Sequence, residues 1–281
     1  MVLWLAAAML PISGCAWLDA QQRQLIYRPT PGVPADFEGL RTGDQRYFLP
    51  LPAAAGAQDQ RLEMWWLPHT DRQAPTLLYF HGTFFNLFQN LHKMEALRTA
   101  GFSVLAVDYR GWGLSTPLIP SERSILQDAA VAWVELRRRE PRAAMRVIYG
   151  HSMGSGVAVD VASRLRTNTD YGALILESAF TSFDEVARDA GWFTGLLAGL
   201  NQERFASIDK ISQVHAPLLM IHGSADATIP LRLGKKLFAA ANPPKQWLRI
   251  EGGDHADLDQ VGNVAYQTTL QRFKNQYISV P

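Results

Sequence analysis

The sequence predicts an α/β fold built on a mostly parallel sheet. From Ala74 onward, short apolar runs alternate with longer segments of helical spacing, which is the pattern of βα units. Each run is almost continuously apolar, as expected for parallel strands that are buried on both faces. With 47% hydrophobic and 19% charged residues, the chain also has enough apolar material for one large core. The predicted strands are Thr76–Phe80, Ser103–Val107, Arg146–Tyr149, Ala173–Leu176, Leu218–Ile221 and Gln246–Ile250.

The segments between these strands have the spacing of amphipathic helices. Ser121 precedes the longest of them and is expected to cap its first turn. Ahead of the sheet, Tyr47–Leu51 and Leu62–Leu67 are predicted to form an antiparallel hairpin around a loop of small residues. The predicted helices are Asn90–Ala100, Glu122–Glu140, Gly154–Arg166, Leu231–Ala241 and Val261–Gln276.

One segment interrupts the alternation of strands and helices. About forty residues separate the strand that ends near Glu177 from the strand that starts at Leu218, which is long for a simple crossover. Part of this segment, from Gly191 to Leu197, is rich in glycine and large apolar residues. We interpret it as a short helical lid over a pocket, an insertion at about residues 181–212. A crossover helix with a frayed start is the alternative.

Charge balance and cysteine count exclude several classes of function. Lys and Arg number 27 against 26 Asp and Glu, so the formal net charge of +1 gives no global field that would attract nucleic acid. The single cysteine, Cys15, forms neither an intramolecular disulfide nor a two-cysteine metal site. The sequence also lacks a P-loop, a dinucleotide-binding glycine motif and a zinc-protease motif. We therefore expect no nucleic-acid partner, no metal and no cofactor.

The amino-terminal segment has features of a targeting signal. Residues 1–18 carry no charged side chain, and small residues stand directly before the lone cysteine. Ile12-Ser13-Gly14-Cys15 resembles the lipobox of a bacterial lipoprotein signal peptide, a signal that is cut before a cysteine that then carries lipid. The resemblance implies a signal peptide over residues 1–14 and a membrane anchor on Cys15, since acyl chains bind membranes in proportion to their buried methylenes.

The same resemblance implies a location in the bacterial cell envelope. Ala16 stands where an aspartate would resemble an inner-membrane retention signal, which favours the outer membrane. No Lys or Arg precedes the apolar run, so an uncleaved anchor over Trp4–Leu18 is one alternative. An ordinary signal peptide and a wrong start site are the others.

A serine motif lies between a predicted strand and a predicted helix. In Gly150-His151-Ser152-Met153-Gly154, the two glycines give room for a turn sharp enough to project the Ser152 hydroxyl. The serine then stands at the amino end of a helix, which favours negative charge nearby. This context predicts that Ser152 is a catalytic nucleophile. A glycine-rich turn with an incidental serine is the alternative.

A serine nucleophile needs a histidine base and a carboxylate that orients the histidine. His255 follows the predicted strand Gln246–Ile250 at the carboxyl edge of the sheet, where ligands bind in open α/β folds. Asp226 follows Leu218–Ile221 at the same edge. We therefore predict Asp226 as the orienting carboxylate, with Glu177 second. Asp254 and Asp108 are further competitors, and His81 and His222 are expected to be structural because their flanks are apolar.

Acyl transfer also needs two N–H donors where negative charge develops. The residue after the nucleophile, Met153, supplies one, and Thr83 after the strand Thr76–Phe80 supplies the other. The aromatic residues just beyond Thr83 either line an acyl pocket or pack the loop onto the sheet. They are Phe84, Phe85 and Phe88.

Taken together, these motifs resemble the α/β-hydrolase superfamily, and most closely its Bem46-like bacterial members. The resemblance implies a hydrolase domain over residues 47–281 after a linker at 15–46, a sheet of about eight strands and a triad of Ser152, Asp226 and His255. It also implies hydrolysis of esters or thioesters without metal or cofactor. The matching segments are His81-Gly82, Asp108–Ser115 with structural Asp108 and Arg110, Gly150–Gly154, Leu176–Ser182, Ile221–Asp226 and Gly252–His255.

Three functions fit these residues. The first is a membrane-tethered carboxylesterase that acts on a small-molecule ester through an acyl-enzyme. The second is a peptidase or amidase on small substrates. The third is a non-catalytic, membrane-tethered interaction protein that keeps the fold. The departure at Thr83-Phe84-Phe85, where many relatives carry small or amide residues, leaves the substrate open, because fold analogy does not choose it.

Overall fold

The computed structural model describes residues 17–51, 59–190 and 203–278, and eight strands of this part of the chain form one sheet. Their order is β1-β2-β4-β3-β5-β6-β7-β8. β2 pairs antiparallel with β1 and with β4, and the other neighbours are parallel, which confirms the predicted mostly parallel sheet. The strands are β1 (Gln45–Leu51), β2 (Gln60–Leu67), β3 (Thr76–Phe80), β4 (Ser103–Asp108), β5 (Arg146–His151), β6 (Ala173–Glu177), β7 (Leu218–Gly223) and β8 (Lys245–Ile250).

Helices flank the sheet, as predicted. The Ser121 hydroxyl accepts a hydrogen bond from the Ser124 N–H at 3.1 Å, so the longest described helix begins with the expected cap. The helix at 17–27 has no counterpart among the predicted ones, Leu258–Val261 meets the predicted helix Val261–Gln276 only at Val261, and Phe183–Ala190 lies in the segment interpreted as a helical lid. The helices of the described ranges are α1 (17–27), α2 (Leu91–Thr99), α3 (Glu122–Arg139), α4 (Met153–Ser163), α5 (Phe183–Ala190), α6 (Leu231–Ala240), α7 (Leu258–Val261) and α8 (Asn263–Tyr277).

Alternation along the strands divides the core into two layers. Leu78 and Phe80 of β3 lie in one apolar cluster, which includes buried residues of α3 and α4. Leu77 and Tyr79 point to the opposite face and lie in a second cluster, with residues of α2 and α8. Successive side chains of a strand point to opposite faces, so one apolar run supplies both layers.

Four central strands extend beyond their predicted ends. β4 continues to Asp108, β5 to His151, β6 to Glu177 and β7 to Gly223. The ladder pairing continues there, since His151 stands opposite Glu177. The added residues are mostly polar because they lie at the carboxyl edge of the sheet. Each of these strands therefore extends past the end of the apolar run that predicted it.

Part of the predicted insertion and the whole predicted signal lie outside the described residues. The insertion at about residues 181–212 includes residues 191–202, and α5 and two short 3₁₀ turns, Ser207–Asp209 and Ile211–Gln213, lie on either side of them. Residues 1–14 and Cys15 also lie outside. Over residues 17–51, 59–190 and 203–278, none of the helices is both long and apolar enough to span a bilayer. The domain boundaries at 14, 46 and 181–212 stay predictions.

Candidate active site

Ser152 occupies a sharp turn between β5 and α4. Its backbone lies in the left-handed region, with φ 54° and ψ −125°, which is strained for a residue other than glycine. Two hydrogen bonds hold the turn: the Ser152 N–H donates to the Glu177 carbonyl at 3.0 Å, and the Ser155 N–H donates to the Ser152 carbonyl at 2.8 Å. The strained backbone aims the buried hydroxyl away from the sheet and toward the loops.

The glycines on either side of Ser152 are required by close backbone contacts. A Cβ atom on Gly150 would lie 2.1 Å from the Gly154 carbonyl oxygen. A Cβ atom on Gly154 would lie 2.1 Å from the Phe80 carbonyl oxygen at the end of β3. No side chain fits at these distances, so the spacing of the motif follows from how closely α4 packs against β3 and β5.

The imidazole of His255 lies between the Ser152 hydroxyl and the Asp226 carboxylate. His255 Nε2 is 2.8 Å from Ser152 Oγ, and its Nδ1 is 3.0 Å from Asp226 Oδ2. Asp226 follows β7 and His255 follows β8, so the parallel strands bring the three side chains to the same edge of the sheet. The structure thus places the three predicted residues in one hydrogen-bonded chain, in which each is buried.

Backbone donors fix the Asp226 carboxylate. Its Oδ1 accepts hydrogen bonds from the N–H groups of Thr228 at 3.0 Å and Ile229 at 2.7 Å. Burial raises the pKa of Asp226, but the hydrogen bond and charge of His255 and the Ile229 N–H lower it more, so the pKa lies below its ordinary value. Asp226 is therefore an anion held in place beside His255 Nδ1.

The second-choice carboxylate, Glu177, has other partners. It accepts hydrogen bonds from the hydroxyls of Tyr149 and Tyr266 and forms a buried ion pair with Lys93. Burial raises the pKa of Glu177, but the Lys93 ammonium outweighs it and lowers the pKa to about 2. Glu177 is thus an ionised structural group that joins β6 to α2, whose buried residues include Lys93.

The remaining competitors are also engaged elsewhere. Asp254 Oδ1 accepts the backbone N–H groups of Ala227 and His255, so it shapes the loop and does not face the imidazole nitrogens. Asp108 accepts the Leu87 N–H and lies 3.2 Å from His81 Nε2. These contacts agree with the structural roles expected of Asp108 and His81.

His222 and Arg110 likewise hold neighbouring loops. His222 Nε2 donates to the Ile229 carbonyl at 2.9 Å, which ties the end of β7 to the loop that carries Asp226. Arg110 forms an ion pair with Asp128 of α3 at 2.8 Å. His222 Nε2 also lies 3.5 Å from Asp226 Oδ2, and in the described part of the chain no hydrogen bond joins either side chain to Ser152 or His255, so both fit the structural roles predicted for them.

The two predicted oxyanion donors lie beside Ser152. Met153 is the first residue of α4, and the first N–H groups of a helix have no acceptor within it. The Thr83 N–H has no backbone acceptor among the described residues. Thr83, Ser152 and Met153 line the same cavity. The two amides are therefore available for an oxygen bound next to Ser152 Oγ.

This cavity, with a volume of about 380 Å³, is mostly apolar. It lies over Ser152 and Met153 on the side that faces α1 and α5. Such a shape suits an acyl chain or another apolar group. Besides Thr83, Ser152 and Met153, the described residues that line it are Gln22, Leu25, Ile26, Phe84, Phe180, Phe183, Val186, Ala187, Ala190, Thr228 and Ile229.

The aromatic residues after Thr83 divide between the two predicted roles. Phe84 lines the cavity and is 40% exposed. Phe85 is 46% exposed and lines a smaller pocket beside His255. Phe88 is 5% exposed and makes edge contacts with the rings of Phe37 and Trp65. Of the three, Phe88 packs the loop onto the core, whereas Phe84 lines the cavity, and its role in an acyl pocket stays a prediction.

Sequence reasoning missed the wall that α1 contributes to the cavity. Leu25 and Ile26 of this helix line the space above Ser152, together with Phe183 of α5. Across residues 17–51, 59–190 and 203–278, no His, Cys, Asp and Glu side chains group in a way that would hold a metal ion.

A family model described as serine aminopeptidase, S33 (Hydrolase_4) matches residues 72–209. Uncharacterized protein Rv2307c of Mycobacterium tuberculosis is 34% identical over 259 residues, which cover 90% of this chain and 87% of that protein. Lysophosphatidylserine lipase ABHD12 of Danio rerio is 32% identical over 225 residues, or 74% of this chain and 57% of the lipase.

Solved structures show the same fold. An esterase of Pyrococcus furiosus, Pf2001, superposes with a TM-score of 0.70 at 15% identity, covering 89% of this chain and 99% of the esterase. The esterase domain of a Rhodothermus marinus protein gives a TM-score of 0.58 at 19% identity, covering 84% of this chain and 100% of that domain. These structures share the sheet of parallel strands flanked by helices.

Proposed function

The chain belongs to the α/β-hydrolases, and from that premise we propose that it is a serine hydrolase that cleaves carboxylic esters or thioesters. The observation that carries the proposal is the continuous hydrogen-bonded chain from Ser152 Oγ through His255 to Asp226. A serine hydroxyl is a weak nucleophile unless an adjacent base removes its proton. This chain supplies such a base and orients it.

In the proposed acylation step, Ser152 Oγ attacks the ester carbonyl carbon while its proton passes to His255 Nε2. The electron pair of the carbonyl bond moves to oxygen, and the N–H groups of Thr83 and Met153 stabilise the charge. The intermediate collapses with cleavage of the bond to the alkoxy group. His255 returns the proton to the departing alcohol, and the acyl group stays on Ser152.

The anion of Asp226 keeps the imidazole in the reactive tautomer. Because the carboxylate accepts from His255 Nδ1, the hydrogen of neutral His255 is on Nδ1 and the lone pair is on Nε2, facing Ser152. The same anion stabilises the imidazolium that forms when His255 takes the proton. Its low pKa keeps this role available across neutral and mildly acidic pH.

The lining of the cavity supports an ester with an apolar acyl group. The described residues that line it include no Asp or Glu, which an aminopeptidase would need to bind a substrate ammonium group. The matching family is nevertheless described as serine aminopeptidase, so amide cleavage is the second candidate. The names of ABHD12, a lysophosphatidylserine lipase, and of Pf2001, an esterase, support the ester.

The test of this function is covalent labelling of the detergent-solubilised full chain with a fluorophosphonate, followed by mass mapping. We expect one adduct, on Ser152, because only an activated serine reacts with such a probe. A His255→Ala variant should lose the label, since the base is gone. A folded chain that stays unlabelled would contradict the proposal and favour the non-catalytic interaction protein. Comparing how well esters and peptide amides compete with the fluorophosphonate for Ser152 then distinguishes the two enzymatic candidates.

We also propose that Cys15 is lipidated and anchors the enzyme in the bacterial cell envelope, with the outer membrane favoured. The lipobox-like residues before Cys15 support this. Cells fed an alkyne fatty acid are expected to attach it to the wild-type chain and not to a Cys15→Ser variant. Sucrose-gradient fractionation should recover the labelled protein with outer membranes. An unlabelled wild-type chain would instead favour the uncleaved anchor over residues 4–18.

A further inference from the structure

A second, much smaller pocket shares Thr83, Phe84 and Ser152 with the apolar cavity and extends to His151 and His255. Its volume of about 30 Å³ exceeds the roughly 10–15 Å³ that one water molecule requires. Ser152 and His255 both border it, so a molecule in this pocket stands next to the nucleophile and the base. The other described residues that line it are Gly82, Thr83, Phe84, Phe85, Asn90, His151 and Ala256.

His151 presents an unused hydrogen-bond acceptor at this pocket. Its side chain is buried, with 5% of the residue exposed, and its Nε2 is 2.9 Å from the His255 carbonyl oxygen. A carbonyl oxygen only accepts, so Nε2 carries the hydrogen. Burial, followed by the charge of Lys93, lowers the pKa of His151 to about 3, so the ring is neutral. Its Nδ1 is therefore a lone-pair acceptor, and no described residue donates to it.

The free nitrogen and the nucleophile face the same space. A Cβ atom on Gly82 would lie 3.5 Å from His151 Nδ1 and 3.4 Å from Ser152 Oγ. Asn90, another polar side chain that lines the pocket, is already paired, since it accepts from Tyr79 and donates to the Asn86 carbonyl. Buried polar atoms rarely lack a partner, which makes the unpaired Nδ1 a position for a polar ligand.

We propose that this pocket binds the water that hydrolyses the acyl-enzyme and that His151 Nδ1 orients it. The inference rests on the proposed function. A water molecule has two hydrogens, and the site offers two acceptors: His255 Nε2, which is free once Ser152 is acylated, and His151 Nδ1. With both hydrogens engaged, a lone pair of the water oxygen is left to face the acyl carbon.

In the proposed deacylation step, the water oxygen bonds to the acyl carbon, one water hydrogen moves to His255 Nε2, and the carbonyl electron pair moves to oxygen. When the intermediate collapses, the bond between the acyl carbon and Ser152 Oγ breaks, and His255 gives its proton to Oγ. The second hydrogen stays on the former water oxygen, next to His151 Nδ1, as the acid proton of the product. His151 is neither protonated nor consumed.

The variant His151→Gln tests this role. The glutamine amide nitrogen reaches the position of Nε2 and keeps the donor to the His255 carbonyl, whereas the acceptor at Nδ1 is lost. With p-nitrophenyl acetate we expect an unchanged acylation burst and a deacylation rate about tenfold lower, because one hydrogen bond to the water is missing. Intact-mass measurement should show the acetyl-enzyme accumulating in the variant.

Adding methanol distinguishes whether His151 orients the water or only supports the structure of the site. Methanol has one hydroxyl hydrogen, which His255 takes, and a methyl group where water has its second hydrogen. Loss of Nδ1 should therefore slow hydrolysis and leave methanolysis unchanged, so the ratio of methyl ester to acid rises about tenfold. A residue that merely supported His255 would slow both reactions together.

Ser178→Ala is the matched control, because the Ser178 hydroxyl donates to the same His255 carbonyl at 3.1 Å. It should leave the ratio of deacylation to acylation at the wild-type value. Ala256→Val, which reduces the pocket volume, is an independent variant that should also slow deacylation selectively. Equal deacylation rates in wild type and either pocket variant, or a parallel fall in both steps, would overturn the inference. A wild-type chain that fluorophosphonate fails to label would instead overturn the proposed function, and this inference with it.

Discussion

Replacing Ser152 with alanine is expected to lower the turnover of a short-chain ester by about 10⁵-fold, since loss of the nucleophile leaves only binding and the oxyanion donors. The fold should persist. Alanine and serine have a similar steric cost at a positive φ, and the two hydrogen bonds that hold the turn are made by backbone groups of residue 152. Steady-state kinetics and thermal unfolding measure the two effects separately.

Ser163→Ala is a suitable control for this experiment. Ser163 is a serine at the other end of α4, where its hydroxyl donates to the Asp160 carbonyl. Its loss should leave turnover within a factor of about two of wild type, as expected for a substitution remote from the chemistry. Turnover that survives in Ser152→Ala and equals that of Ser163→Ala would exclude Ser152 as the nucleophile.

Asp226→Asn should lower turnover by about 10⁴-fold at neutral pH, because an amide favours the wrong tautomer of His255 and no longer stabilises its protonated form. The fluorophosphonate reaction should slow in parallel. Asp254→Asn is the matched control, since Asp254 accepts backbone N–H groups of the same loops without facing the imidazole. A turnover in Asp226→Asn above a tenth of wild type would exclude Asp226 as the orienting carboxylate.

Asp226 also gives stability a defined pH dependence. Because its folded-state pKa is lower than the ordinary value near 3.9, the folded chain binds fewer protons at this group than the unfolded chain. The stability that Asp226 contributes is therefore fully present above about pH 5 and is lost as the pH falls through the folded-state pKa. Denaturant unfolding at neutral and acidic pH should show a smaller acid loss in Asp226→Asn than in wild type.

The sheet could be predicted because its strands are buried on both faces. Runs such as Thr76–Phe80 are almost continuously apolar, and the structure has this strand with the same bounds. The ends of the neighbouring strands were predicted too early, since His151 and Glu177 continue the ladder with polar side chains that serve the carboxyl edge. Both residues are buried as well as paired, so the polarity of the side chains changes at this edge before the strands end.

The three residues at the site could be proposed because each follows a recognisable strand. Parallel strands bring Ser152, Asp226 and His255 to one edge whatever the details of packing. The free acceptor on His151 had no such signal. Its significance depends on which ring nitrogen reaches the His255 carbonyl, a contact across about a hundred residues of sequence that only the folded chain makes.

The helix at residues 17–27 (α1) could not be predicted from the sequence either, because it lies in a segment assigned as a linker. Its Leu25 is largely exposed and still lines the cavity, and Tyr27 is fully buried against Trp112. An amphipathic helix of this length gains its stability from tertiary packing more than from its own propensity. The pattern of its apolar residues therefore predicts a stable helix only when the surface against which the helix packs is known.

That helix gives the segment between Cys15 and the sheet a role beyond the membrane tether that we propose for it. A tether that only sets the distance from a membrane tolerates insertions and deletions, because its length changes reach and little else. Here a shift of a few residues would withdraw Leu25 and Ile26 from the space above Ser152 and widen it. Variants with residues inserted or deleted between Cys15 and this helix are therefore expected to accept different acyl groups with Ser152, Asp226 and His255 unchanged, so the segment of the proposed anchor also shapes the proposed substrate site.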